Sequence, residues 1–570
     1  MSARTLCIAA LAAALLPFGA SAQVPVQSPG SRVRERFLAP EVPRSQPRAP
    51  AIVLPSTAPP SGAEKLTVNI RDICIEGSTV YRPEDLAPLY RDMIGHDVPV
   101  IALYDLAKRI TAKYGSDGYV LSRAIVPPQT FSPHGAKPCL RIIEGYVDNV
   151  EWPAAVRQYR DFFTEYTAKI TAQRPVNIHT IERYLLLAGD LPGLHFNASL
   201  KPSKTHDGAA TLVVEVVQKP LDLYGRYDNR GTPARGPYEY LLGANVNNLL
   251  RQHEAFTLNW AATTPDFQEL QYFAANWRQV LNAEGLYAFV NASYGYGRPG
   301  TDVLQALAFR TASTVVEAGL ASPVIRTRET NLTLSGLAFM SDNVSDTNIM
   351  SPFQEDRLRG FRLKADSDWA DRFLGINQVN VTYSEGFHGL GSTDNADLSA
   401  TAVNAPPPSR LAGRVDFQKI EATLSRNQPI YGPISAFASI YGQYAFTPLL
   451  VPEQCGYGGR FFGRGYDPSE LLGDHCLEGV VEFRYDLPKV APSIDQIQFY
   501  TFSDYGRLWL LAPAANALSF GTPGNFIAAS AGAGVRVAAL GHYTADFSVA
   551  KAIEGTRDDT RFFFILAAKY

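Results

Sequence analysis

After its first twenty-odd residues the chain lacks any uninterrupted apolar run long enough to cross a bilayer as a helix. If it enters a membrane it does so by strands, because only helices and closed barrels satisfy their backbone groups in lipid. An excess of either charge is also missing. With 52 Lys and Arg against 55 Asp and Glu, the formal charge of -3 provides no basic face for nucleic acid. The marks of catalysis are absent too: there is no G-x-S-x-G elbow and no G-x-x-x-x-G-K-[ST] loop. His253-Glu254 would open a zinc-protease motif, but Thr257 stands where the second His is needed. No Cys and His spacing suits zinc. The expectation is a protein without enzymatic activity, cofactor, metal, nucleotide or nucleic-acid partner.

Cysteine is scarce, with five in 570 residues. Cys7 falls in a segment that reads as an export signal over residues 1–22. Arg4 supplies its positive end, Leu6–Leu16 its apolar core and Ala20-Ser21-Ala22 a small-x-small cleavage site. Cys74, Cys139, Cys455 and Cys476 remain, an even number in an exported chain. Four cysteines allow three pairings. Cys74–Cys139 and Cys455–Cys476 are favoured, because each pair lies within one of the segments described next.

Residues 23–64 are rich in Pro, Ser and Ala and read as a linker or a short plug helix. Within them Ser31–Leu38 is expected to be a solvated stretch rather than one or two helical turns. Residues 65–145 and 146–219 repeat one pattern of strand, helix, helix, strand, strand. In the first copy Leu66, Val68 and Ile70 alternate with polar residues, and Leu103, Leu106, Ile110 and Tyr114 share a helix face. Such a compact α+β module leaves a sheet edge open to an added peptide strand.

From Pro220 the texture changes. Helical periodicity gives way to alternating segments of about ten residues separated by Gly, Asn, Asp and Pro, which is the pattern of a transmembrane β-barrel. Sixteen such segments fit between Leu221 and Tyr570, among them Leu221–Arg230, Ala306–Gly319, Asn331–Ser341, Leu477–Leu487, Gln496–Asp504 and Arg561–Tyr570. The abundant aromatics, 28 Tyr and 30 Phe, suit the girdles of such a barrel. Leu477–Leu487 places Val481, Phe483 and Tyr485 on one face and Glu478, Glu482, Arg484 and Asp486 on the other, where only a polar lumen accepts so many charges. The last segment aligns Phe562, Phe564, Leu566 and Tyr570 toward lipid. Long connections such as His388–Gly413 and Thr447–Cys476 alternate with short turns, as outer loops and periplasmic turns do. The connection near Ala321–Thr330 is longer than that rule wants.

At this point the chain resembles the outer-membrane transporters of two-partner secretion, the haemolysin-activator and filamentous-haemagglutinin exporter type. The stretches that carry the likeness are Gly118–Gln129 (GYVLSRAIVPPQ), Leu140–Val150, Ile181–Gly193 with its DLPG turn, and Tyr227–Leu250. The resemblance implies two periplasmic POTRA domains, 65–145 and 146–219, before a sixteen-stranded antiparallel barrel over 220–570 in the bacterial outer membrane. It implies surrounding lipid and, as partner, a large exported β-helical adhesin or haemolysin-like protein. Barrel-assembly factors and passive porins are the alternative readings.

The most informative match is GGRFFGRGYDP (Gly458–Pro468). In the family this loop folds back into the barrel and carries an Arg-Gly-aromatic tip, here Arg464, Gly465 and Tyr466. A second motif, FSDYG, supplies Phe502, Asp504 and Gly506. The resemblance implies that Arg464 pairs with Asp504 in the lumen, and Gly465 is expected to allow a tight backbone turn. Where the family has an aliphatic residue before the Arg, this chain has Gly463.

Overall fold

Strict alternation of apolar and polar residues leaves each strand one face for lipid and one for an enclosed lumen, and only closure satisfies the edges. In the computed structural model sixteen antiparallel strands meet this demand in sequence order, and the last pairs with the first. They are β1 (Leu221–Asp228), β2 (Tyr238–Asn247), β3 (Glu254–Thr264), β4 (Gln271–Val280), β5 (Tyr287–Gly297), β6 (Arg310–Arg326), β7 (Thr330–Asp346), β8 (Gln354–Ala370), β9 (Ile376–Gly386), β10 (Gln418–Tyr431), β11 (Ile434–Ala445), β12 (His475–Ala491), β13 (Ile494–Trp509), β14 (Asn525–Ala539), β15 (Tyr543–Glu554) and β16 (Thr560–Lys569). The structure describes residues 32–37, 42–46, 59–130, 135–203, 206, 208–349, 351–395, 406–410, 412–512, 524–555 and 557–570. The expected export signal lies outside them.

The alternation runs as the charges require. On β12, Leu477, Val481, Phe483 and Tyr485 are exposed on the outer wall, while Glu478 and Glu482 are buried inside. On β16 Phe562 and Leu566, and just beyond it Tyr570, face outward. The connection expected to be long near Ala321–Thr330 is instead a short turn. Strand β6 continues to Arg326 and β7 starts at Thr330. The alternation there is interrupted by a register shift between Pro323 and Ile325, which hid the end of the strand.

Two sheet-and-helix units precede the barrel. In the first, the helix Ile101–Ser116 buries Leu103, Leu106, Ile110 and Tyr114 against a sheet ordered Cys74–Glu76, Cys139–Ile143, Arg123–Ile125. The single opening strand read from the sequence is split. Thr67–Asn69 pairs with Asp97–Pro99, and Cys74–Glu76 joins the other sheet. The cause lies in the pattern: Ile70 and Ile73 are both core residues, so the inward parity changes between them and one flat strand cannot serve both. The second unit stacks helices Phe163–Thr171 and Ile178–Gly189 on a sheet ordered Tyr146–Glu151, Ala209–Gln218, Leu194–Pro202. It rests on the barrel through Asp190, which accepts both prongs of Arg326 at 2.7 and 2.9 Å.

The expected Cys74–Cys139 disulfide is not formed. The two residues lie directly opposite each other on parallel strands, but both are free thiols, and Cys74 Sγ turns toward Glu76. Cys455 and Cys476 are bonded.

The solvated reading of Ser31–Leu38 is also overturned. Val33–Phe37 is a helical turn held inside the barrel. Arg34 contacts Glu317 of β6 at 2.8 Å, Arg36 lies 2.7 Å from Glu239 of β2, and Phe37 stacks on Tyr272 of β4 with ring centroids 5.3 Å apart. A five-residue helix gains little from its own backbone. It persists here because the lumen supplies anionic partners for two arginines, Arg34 and Arg36, that the sequence presented without an apolar face. Reversing one of these charges, Arg34→Glu, sets a carboxylate against Glu317. The expected outcome is release of the helix and a higher single-channel conductance in planar bilayers than the unaltered protein shows.

Candidate functional site

The connection from β11 to β12 does not project outward. A short hairpin, Cys455–Tyr457 paired with Leu471–Gly473, carries its tip down into the lumen. The Cys455–Cys476 bond ties the hairpin to the first residues of β12, closing a separation of 21 residues. A closure of that size is worth roughly 3 kcal/mol.

At the tip, Arg464 is buried between two carboxylates. Its Nη1 donates to Glu482 Oε2 on β12 at 2.7 Å. Its Nε and Nη2 reach the two oxygens of Asp504 on β13, each at 3.4 Å, and its backbone N–H donates to Asp504 Oδ2 at 2.8 Å. The guanidinium lies over the Phe502 ring, 3.6 Å from the centroid. Strand register builds this pocket: Glu482 faces Phe502 across β12 and β13, and Asp504 faces Ser530 across β13 and β14. Ser530 donates to Asp504 at 3.1 Å and accepts from the Gly465 N–H at 3.2 Å. Gly532 lets the Phe502 ring lie flat, since a Cβ there would stand 2.5 Å from it.

The tip also reaches across the barrel. Arg230, just beyond β1, donates to the Arg464 carbonyl at 3.1 Å, and Arg460 pairs with Asp228 of β1. Buried Tyr466 packs against Tyr457 with centroids 5.4 Å apart and donates to the carbonyls of Ala529 and Glu554. The loop is therefore bonded to strands from both ends of the barrel sequence. No residue of this cluster is placed as a nucleophile beside a base; its chemistry is that of a lock.

The family profile of the haemolysin secretion/activation proteins ShlB/FhaC/HecB matches residues 208–537. The chain belongs to this family. A ShlB-type POTRA profile matches residues 68–134. The heme/hemopexin transporter protein HuxB of Haemophilus influenzae strain 86-028NP is 21% identical over 481 residues, covering 84% of this chain and 82% of HuxB. The outer membrane transporter CdiB of Dickeya dadantii is 21% identical over 455 residues, covering 77% and 76%. Among solved structures, CdiB from Escherichia coli superposes with a TM-score of 0.68 at 16% identity over 92% of this chain and 94% of its own, and CdiB from Acinetobacter baumannii with 0.58 at 14% over 95% and 96%. As a ShlB/FhaC/HecB member, the chain is an outer-membrane transporter of the secretion type, with its POTRA region on the periplasmic side.

The structure refines the motif as read from the sequence. Asp504 lies beside Arg464, but the shortest side-chain contact is to Glu482, which the sequence marked only as a lumen charge. Glu482 is held in turn by Arg484 at 2.7 Å and by both prongs of Arg536. Gly465 lies in the tip turn, which the Tyr466 N–H closes by donating to the Gly463 carbonyl at 2.9 Å, but it does so without a positive φ. It is needed for close approach, since a Cβ would stand 2.9 Å from that of Ser530. The left-handed position is Gly463, at φ +70°, and its missing side chain leaves room for the Tyr457 ring, 2.6 Å from where a Cβ would sit. Gly506 makes room for the opposite edge of that same ring.

Restoring an aliphatic residue before the arginine is therefore expected to harm this chain. Gly463→Val forces a β-branched residue to positive φ and into Tyr457, a cost of about 2 kcal/mol or more. The loop tip should loosen. The check is the labelling rate of a cysteine placed at Phe461 by a membrane-impermeant reagent, which should rise relative to the same reporter with Gly463 intact.

Proposed function

We propose that this transporter exports a large, extended partner protein of the β-helical adhesin or haemolysin class, captured by two POTRA domains, 65–145 and 146–219. The observation that carries the reading is the occupied lumen: the helix Val33–Phe37 and the loop tip at Arg464 both fill it. A barrel plugged from two directions is poorly suited to passive diffusion and well suited to passage that starts only when a specific client arrives. The open sheet edges of the two preceding units support strand-wise capture of that client. The relatives named as transporters of heme/hemopexin and as CdiB carry different names, so the client of this chain follows from neither.

In this reading Arg464, Glu482 and Asp504 hold the loop in its resting position, and Gly465 and Tyr466 seat it against β14 and β15. Removing one side of a buried pair costs about 3–5 kcal/mol, less where lumen water reaches the charges. Arg464→Ala should therefore reduce secretion strongly. Arg464→Lys should recover only part, because an ammonium cannot bridge two carboxylates as a planar fork does. Secretion into the medium of a co-expressed β-helical client measures both. Wild-type secretion by Arg464→Ala would reject the role.

The capture step has its own test. Deleting 65–219 should abolish secretion while the barrel still inserts and conducts ions in a planar bilayer. Normal export by that variant would refute capture by these units.

A further inference from the structure

The outer face of the first periplasmic sheet carries a cluster that neither the barrel nor its loop uses. Cys74 and Cys139 are register partners on adjacent parallel strands. Alternation sends Ile73, Leu140 and Ile142 into the core and leaves Cys74, Glu76 and Cys139 on the opposite, accessible face. The two Sγ atoms and a carboxylate oxygen of Glu76 all lie within 4.8 Å of one another. The Cys74 thiol donates to Glu76 Oε1 at 3.5 Å. The backbone beneath is fixed: Gln129 accepts from the Cys139 N–H at 2.8 Å and donates to the Cys139 carbonyl at 2.9 Å.

We propose that Cys74, Cys139 and Glu76 form a binding site for a thiophilic divalent cation of the zinc class, with one coordination position left open. Three protein ligands and a free position make up a common arrangement for this ion. Zinc–thiolate bonds of about 2.3 Å in tetrahedral geometry set the two sulfurs roughly 3.8 Å apart, so closure around the ion needs a shift of at most about 1 Å, within reach of side-chain rotation. Binding replaces both thiol protons, which pass to solvent, and two thiolates with one carboxylate offset the charge of the ion. The sequence carries no metal spacing because the two cysteines come from strands far apart in the chain and meet only through sheet register.

The test uses the full-length protein extracted from outer membranes in detergent, with cadmium as probe. Cys455 and Cys476 are bonded to each other and stay silent. One equivalent of cadmium should produce thiolate-to-metal charge-transfer absorption that is lost in Cys74→Ser and in Cys139→Ser. Glu76→Gln should weaken binding by roughly tenfold or more. Independently of any variant, cadmium should protect both cysteines of the unaltered protein from alkylation. The proposal is overturned by an absent band, by a band that survives Cys74→Ser, by unchanged affinity in Glu76→Gln, by failure to protect the thiols, or by mass spectrometry finding Cys74 bonded to Cys139 in the extracted protein.

Discussion

One guanidinium shared by two buried carboxylates fixes where the inward-folded loop of this barrel sits. Glu482 and Asp504 point inward because strand alternation leaves them no other side, and a lumen that traps them must supply a cation. Arg464 can do so only if the connection between β11 and β12 folds back through the opening. The tip of that connection then occupies space in the lumen beside β12, β13 and β14. The disulfide at its base, the small residues that admit Tyr457 and Phe502, and the contacts to β1, β14 and β15 all serve to bring one arginine to one place.

Much of this was legible in the residues, for a physical reason. A wall between lipid and water forces period-two alternation on every strand, so each of the sixteen expected segments overlaps one observed strand. What failed did so where that constraint lapses. At Pro323 the pattern breaks while the strand continues, and the reading stopped short. Between Ile70 and Ile73 two inward residues stand three apart, and one strand became two. Within the loop, Arg464 and Asp504 were found through a motif, but Glu482 as a partner was not. Nothing in its own sequence separates it from Glu478, and its selection depends on which lumen position the loop tip reaches. The plugging turn Val33–Phe37, one of two readings of residues 23–64, could not be chosen from the sequence for a related reason. Its order comes from Glu239 and Glu317, hundreds of residues away, and not from any apolar stripe of its own.

The two lumen occupants differ in what they leave behind. When the helix departs, Glu317 keeps Arg362 at 2.9 Å and Glu239 keeps Arg460 at 3.3 Å, so neither carboxylate loses its last cation. Withdrawal of the loop tip is another matter. Glu482 retains Arg484 and Arg536, but among the described residues Asp504 is left with the Ser530 hydroxyl and no cation. A buried carboxylate stripped of its counter-charge is costly, whereas one that exchanges one guanidinium for another is nearly indifferent. In the proposed reading, the helix, held by replaceable contacts, would leave before the tip, which is held by an irreplaceable one. Arg362 also contacts Glu453 at the root of the loop at 2.6 Å, so the same side chain that takes over from the departing helix stands against the loop that remains.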